Sequence, residues 1–488
     1  MKRLIKVSAI ALLVVFAMTG CKKTYTITVR SNNNDWGTVT GGGSYKDGET
    51  ATISAIPATG YYFNCWNDGN TENPRHIVVS GNADYIATFS DTPGGGGGGT
   101  EGALEVSGSI SANTTWPDRG VPVDYIIDGQ FYVEGNALLT IEPGVTIMFT
   151  GVDGGIFVEE NAGLRMVGTA ENPIVLTGPT NNPNKGSWGS VWVLSNRSDN
   201  QFEYVRFING GSNYGSTNSV VEVPGMISMK NCLIDGSLGL GFAITGAGRA
   251  TAFENNTIKN VNTYPVYLDG HNKVNCLGTG NNYISNGKNM IKLVGYWLDN
   301  TNNTTTTFTN QGIPYYFTDG INMDEHEDVV VVNAGVELVF AYNQHMYVNS
   351  EAMLQVNGTS SEPVVFRGEE NENGYWSGIE IHSTRTTNGG NKLTNCQIKN
   401  AGQYDDAALI TSEETVLTLS NVTINGSNGY GMRVSIPVDW DTEQYDFSNY
   451  HVTASGLTFA NCTQGNIYET NKEQVYSAWP GNKKLARR

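Results

Sequence analysis

Along the larger part of the chain one short pattern of apolar and polar positions keeps returning. It runs apolar, two residues, apolar, one residue, apolar, one residue, then Asn or Gly. The positions Phe202, Val205, Phe207 and Asn209 make one copy, and Met229, Cys232, Ile234 and Gly236 the next. Later copies are Leu393, Cys396, Ile398, Asn400; Leu419, Val422, Ile424, Gly426; and Ala454, Leu457, Phe459, Asn461. Phe253, Asn256, Ile258, Asn260 fits except for the polar Asn256. The last two apolar positions alternate as in a strand, and the Asn or Gly falls where the chain must turn. Neighbouring copies lie roughly 25 residues apart, the length of one coil of a stacked solenoid. With coils about 4.8 Å apart, equivalent residues form ladders. Apolar ladders fill a core, and Asn side chains bond along the stack. No coil is stable alone, so many are needed and the ends must be capped.

A coarser repeat lies over this one, with a period of about 190 residues. The run Leu139 to Phe149 aligns with Val330 to Phe340, and Pro173-Ile174-Val175 with Pro363-Val364-Val365. Trp188 answers Trp376, and Gly120-Val121-Pro122 answers Gly312-Ile313-Pro314. The solenoid, 103–488, is therefore an internal duplication with halves of about 103–290 and 291–480. Ahead of it the pattern changes twice. Residues 21–90 hold short alternating strands, Tyr25 to Val29, Thr50 to Ile56 and Tyr85 to Phe89, separated by turn signals. Residues 91–102 contain the run Gly94 to Gly99, which can bury nothing and makes a flexible linker with a reach of roughly 20 Å. At the start, Lys2, Arg3 and Lys6 precede an apolar run from Val7 to Met18, too short for a comfortable membrane span. That layout reads as a signal peptide over 1–20.

Four resemblances follow from these motifs and their setting. Met18-Thr19-Gly20-Cys21 resembles a bacterial lipobox, which implies cleavage before Cys21, lipidation of its sulfur and a stable membrane anchor. Gly37-Thr38-Val39, the stretch from Gly43 to Glu49, Pro57 to Tyr61, and Phe63-Asn64-Cys65-Trp66 resemble the divergent internalin B-type repeat. The likeness implies a small β module used as a spacer or interaction unit, with Phe63 and Trp66 in its core. The coil register is similar to the right-handed parallel β-helix of the pectin-lyase-like class, and the handedness comes from that likeness alone. The overall look resembles envelope lipoproteins of Bacteroidetes type, which implies outer-membrane anchoring. Lys22-Lys23 replace the acidic residues of surface-export signals, so the periplasmic and surface faces both remain open.

Composition narrows the partners. The formal net charge is -18, and Lys2, Arg3 and Lys6 are the only charges of the leader, so the remainder is more acidic still. Nucleic acid and anionic lipid surfaces both demand basic patches, so this acidic balance argues against them as partners. Cysteines other than Cys21 are odd in number and widely spread, which is no disulfide framework. Cys232 and Cys396 occupy an inward slot filled elsewhere by Val205 and Val422, and a small apolar thiol suits it.

Many β-helices are polysaccharide lyases or glycoside hydrolases, and such sites need carboxylates stacked on successive coils. The three rows that the register aligns do not supply them. They read Arg206, Leu233, Thr257 with Gln397, Thr423, Thr458; Ile208, Asp235, Lys259 with Lys399, Asn425, Ala460; and Glu203, Lys230, Glu254 with Thr394, Ser420, Ser455. The last alternation suits a salt-bridged surface ladder. Two acidic clusters, Asp324-Glu325-His326-Glu327-Asp328 and Asp405-Asp406, read as solvated loops, and the histidines form no pair at ligand spacing. No catalytic residue, metal or cofactor is assigned. Aromatics remain. Trp188 and Trp376 read as packing, whereas Trp192, between two inward valines, should point outward. Trp440 and Tyr445 lie in an insertion, Pro437 to Asn449, absent from the first half. These three are the candidate glycan-binding residues. The expectation is a lipid-anchored envelope protein whose all-β scaffold binds or adheres, most plausibly to glycan. A polysaccharide-degrading enzyme and a structural stalk are the alternatives.

Overall fold

A computed structural model describes the chain except residues 1–22, 60, 68–69, 71, 91–101, 180–183, 213–216, 299–303, 326–327, 404–405, 440 and 483–488. Cys21, the signal segment, the glycine run, Asp405 and Trp440 therefore lie outside the described residues. The chain divides into two compact units, 1–99 and 100–488. No helix among the described residues is long and apolar enough to cross a membrane.

The small unit is a pair of sheets. Strand Thr24–Ser31 pairs antiparallel with Gly43–Lys46 and parallel with Ala83–Ser90, which also pairs with Tyr62–Trp66. Thr50–Pro57 joins Gly37–Thr40 and Arg75–Val78 in the second sheet. Alternation sends Ile27, Ile53, Ala55 and Phe89 inward around a fully buried Trp66, whose indole N–H donates to the Glu72 carbonyl at 2.8 Å. Phe63 packs 5.3 Å from Trp66, so of the two expected core residues Trp66 is fully buried and Phe63 is a half-buried ring against it.

The large unit is a parallel β-helix. Its strands pair in parallel with the equivalent strands of the next coil. The three rows read from the sequence are rows of the structure: Arg206 pairs with Leu233 and Leu233 with Thr257, while Lys399 pairs with Asn425 and Asn425 with Ala460. The third row carries the expected ion pairing, with Lys230 3.3 Å from Glu254; Asp235 and Lys259 pair at 3.0 Å in the row beside it. Asn side chains bond along the stack, Asn461 to Asn425 at 2.9 Å and Asn421 to Asn395 at 3.1 Å. The Asn or Gly of the turn is left-handed, as at Asn209, Gly236, Asn260 and Asn400. A second left-handed position, just before the middle apolar residue, was not anticipated: Tyr204, Asn231, Asn255, Asn395 and Asn421. Asn and Gly tolerate that geometry best, and Tyr204 is its strained exception.

The duplication is visible in the core. Trp188 stacks on Phe149 at 4.6 Å and Trp376 on Phe340 at 4.3 Å. The halves do not join by simple continuation, however. One sheet of the first half ends at Asn282–Ile284, and Tyr315–Phe317, early in the second half, stacks on Ile291–Val294 of the neighbouring sheet. A new sheet begins here, its first rung being the single bridge of Trp297 to Asn322. It continues through Ile321–Met323, His345–Val348, Gly378–Ile381 and Ala407–Thr411. One expected loop is also corrected. Asp328 is buried and its carboxylate accepts from the backbone N–H groups of Asp324 and Glu325, at 2.9 and 3.2 Å, so it anchors the turn.

The seam buries His271, at the head of a single 3-10 turn, 5.4 Å from the Phe317 ring. Neither ring nitrogen makes a hydrogen bond of ordinary geometry. Burial pushes its pKa down to about 4, opposed only in part by the nearby Gly320 and Trp297 backbone. An unfolded histidine titrates near 6.5. Between those values the unfolded chain takes up a proton that the folded one refuses, so stability falls as pH falls through that window. Above it this group has no effect, and below it the loss is complete, at about 3 kcal/mol. Urea titrations at pH 7 and 4.5 should therefore show a smaller acid loss for His271→Phe than for wild type. Equal losses would refute the assignment.

Candidate functional site

Trp192 points outward between buried Val191 and Val193, as alternation requires. It is one rung of an outward row that reads Tyr132, Phe157, Trp192, Glu222, Ala243. Tyr132 and Phe157 stack at 5.4 Å, and the indole lies tilted 6.3 Å from Phe157. The ring is half-buried, and part of its surface is spent on its neighbours. Tyr445 lies in the insertion, on a two-stranded hairpin of Val438–Asp439 with Gln444–Tyr445. Its hydroxyl donates to Glu469 at 2.7 Å, and Lys472 sits 4.2 Å over the ring. Glu469 is fully buried and accepts the backbone N–H groups of Ile436, Asn471 and Lys472. The insertion thus helps close the C-terminal end of the core. Trp192 and Tyr445 stand in different halves of the solenoid, near opposite ends, and the coils do not bring them together.

The exposed aromatic surface lies elsewhere. Trp297, which the sequence reading passed over, is 61 % exposed. It is the first rung of the new sheet, and no strand among the described residues pairs with it from below. The outward row from it reads Trp297, Asn322, Tyr347, Glu380. Tyr296 lies nearly perpendicular to the indole, with ring centres 5.2 Å apart. Tyr296 Oη lies 3.1 Å from His345 Nε2, and the imidazole lies 4.0 Å from the Tyr347 ring. His382 Nε2 pairs with Glu380 at 3.1 Å. Burial, opposed in part by Glu380, holds the His345 pKa below its ordinary value. Burial, helped by Glu380, raises that of Tyr296. At neutral pH the pair is an uncharged imidazole beside an intact phenol, able to donate and accept hydrogen bonds. Glycines flank it: Gly295, Gly320 and Gly378 all have positive φ, and Gly320 and Gly378 are the residues beside His345 on the adjoining strands. An exposed indole edged by uncharged polar groups is suited to stacking and hydroxyl recognition.

A second aromatic cluster, at the other face of the seam, satisfies itself internally. Lys288 pairs with Glu369 at 2.7 Å, and the same carboxylate accepts the Tyr316 hydroxyl at 2.6 Å. Tyr264 stacks on Tyr316 at 5.9 Å. No group of three His, Cys, Asp or Glu suited to a metal ion occurs among the described residues.

Comparison with known families gives two matches. Residues 25–93 match the divergent InlB B-repeat domain, and residues 108–228 match the pectate-lyase like beta helix domain. The chain thus holds a divergent InlB B-repeat over 25–93, followed by a pectate-lyase-like β-helix domain over 108–228. Both family resemblances drawn from the motifs are thereby borne out. The β-helix match covers coils of the first half; the second half, which holds Trp297's sheet, is tied to it by the internal repeat. No curated protein and no solved structure matches the chain.

Proposed function

We propose that this is an exported, lipid-anchored envelope protein whose β-helix serves as a glycan-binding or adhesive scaffold. The observation that carries the reading is the Trp297 surface: an indole left outside the core, with Tyr296, His345 and Tyr347 close beside it. Leaving a large aromatic in water normally forfeits stability, and a solenoid already satisfied by its own ladders has no structural need for it there. Trp192 is the secondary stacking position, on the first half's aromatic row. The scaffold suits long ligands because its rows run across several successive coils. The InlB-like module would act as a spacer or interaction unit between Cys21 and the β-helix.

Two measurements test the reading. A glycan array probed with the chain from Lys22 onward should retain at least one polymer class, and retention of none would remove the binding role. Cys21→Ala should move the protein from the membrane fraction of expressing bacteria to the soluble fraction. Unchanged membrane association would show that the tetrad ending in Cys21 is not an anchor signal.

A further inference from the structure

We infer that the Trp297 site takes an uncharged, hydroxyl-rich sugar chain lying along the solenoid axis, and that it rejects acidic polymers. This rests on the glycan-binding reading and narrows it. The argument is one of charge and spacing. Three outward rows make up the patch: Gly320, His345 and Gly378 on one side; Trp297, Asn322, Tyr347 and Glu380 in the middle; Asp324, Asn349 and His382 on the other. The segments 318–325, 343–350 and 375–384, which supply every rung but that of Trp297, carry Asp319, Asp324, Glu325 and Glu380 and no Lys or Arg, while Lys292 of Trp297's own segment is held over the Tyr264 and Tyr267 rings. Further along the middle row, Arg433 stands beyond Ile410. Arg385, just past the patch, is turned onto the Thr387 hydroxyl and the Glu351 carbonyl. Over these rungs a polymer bearing a carboxylate or sulfate on each residue would therefore meet like charge, and the first cation along the row is Arg433, two rungs past Glu380.

A neutral chain meets no such penalty. Its apolar ring face has the indole of Trp297, and its hydroxyls have Tyr296, the His345 imidazole and Glu380 as partners. Carboxylates accept sugar hydroxyls well, because a charge-assisted hydrogen bond is the stronger kind. Successive rungs stand about 4.8 Å apart, close to the advance of one ring in an extended sugar chain. Trp297 and Tyr347, two rungs apart on this row with the buried Asn322 between them, thus fall beneath one ring and the next but one.

The test is affinity electrophoresis of the chain from Lys22 onward in gels containing neutral polymers (mixed-linkage glucan, xyloglucan, mannan) or acidic ones (polygalacturonate, alginate, a sulfated galactan). At least one neutral polymer should retard wild type. Trp297→Ala should weaken that binding by about tenfold or more, while Trp297→Tyr keeps part of it. Both variants should melt with wild type, since the side chain is mostly in solvent. Retardation by acidic polymers alone would overturn this inference and leave the glycan reading standing. Neutral binding unchanged in Trp297→Ala would overturn the site. Retardation by no polymer would overturn the glycan reading itself.

Discussion

Trp376→Ala is expected to lower the unfolding free energy by about 3–5 kcal/mol, the range for deleting a fully buried aromatic. The indole has no exposed surface, stacks on Phe340 with planes 7° apart, and donates its N–H to the Lys399 carbonyl at 2.8 Å. Truncation removes the ring's transfer free energy, leaves a cavity that rigid neighbouring ladders cannot close, and strands a buried carbonyl. Trp188 occupies the matching place, with its N–H on the Ile208 carbonyl at 2.8 Å, and should cost a similar amount. Because a solenoid's coils depend mainly on their neighbours, the loss should be local before it is global. Hydrogen exchange should thus speed up first in the coils around 364–400 for Trp376→Ala and around 174–210 for Trp188→Ala. A stability loss under about 1 kcal/mol in urea titrations would mean that these rings do not fill the core.

The register of the coils was legible because it is a local, repeated constraint. A residue facing inward on a strand meets its equivalents one coil above and below, so the same polarity is demanded at the same offset again and again. That is why Phe202, Met229 and Phe253, spaced by the coil length, stack in one inward ladder. The packing of Trp188 and Trp376 was legible for a related reason: each precedes a strand at the same place in a duplicated unit.

The seam was not legible, and neither was the site beside it. Which strand the second half stacks on depends on where the chain leaves one coil and enters the next, a long-range pairing with no periodic signature. Trp297 belongs to the segment that opens a new sheet, so it lies outside the register that organised the rest. The available signal was a pair of adjacent aromatics, Tyr296-Trp297, at the boundary of the duplication, together with the alternation of His345 and Tyr347. Asp328 was misread for a different reason. A run of acids looks solvated by composition, but one carboxylate can be drawn inward when backbone N–H groups of its own turn would otherwise go unpaired. Trp192 was placed correctly outward, yet alternation along one strand says nothing about Phe157 on the strand beneath.

Cys396→Asp should be the most damaging single substitution considered, costing several kcal/mol and disordering the adjoining coils. Cys396 is 2 % exposed, between Val364 and Val422 in its ladder, and burial pushes the thiol's pKa up to about 12. Cys232 matches it, 2 % exposed with a pKa also near 12. Both thiols should therefore resist iodoacetamide in the native protein, and rapid alkylation of either would show that the inward register is wrong. A carboxylate in this slot would have neither water nor a cation to stabilise it. Protonation would spare the charge but still leave a buried polar group short of partners. Cys396→Val, which keeps the apolar surface, should cost under about 1.5 kcal/mol. The slot is not hostile to polarity as such. Asn256 fills it in the coil after Cys232, fully buried, and is accommodated because its amide accepts the Cys232 N–H at 3.0 Å and donates to the Met229 carbonyl at 3.0 Å. Damage should therefore track unmet hydrogen bonds and charge: Cys396→Asp worst, Cys396→Asn intermediate, Cys396→Val mild. Equal losses for all three in urea titrations would show that the slot responds to shape alone.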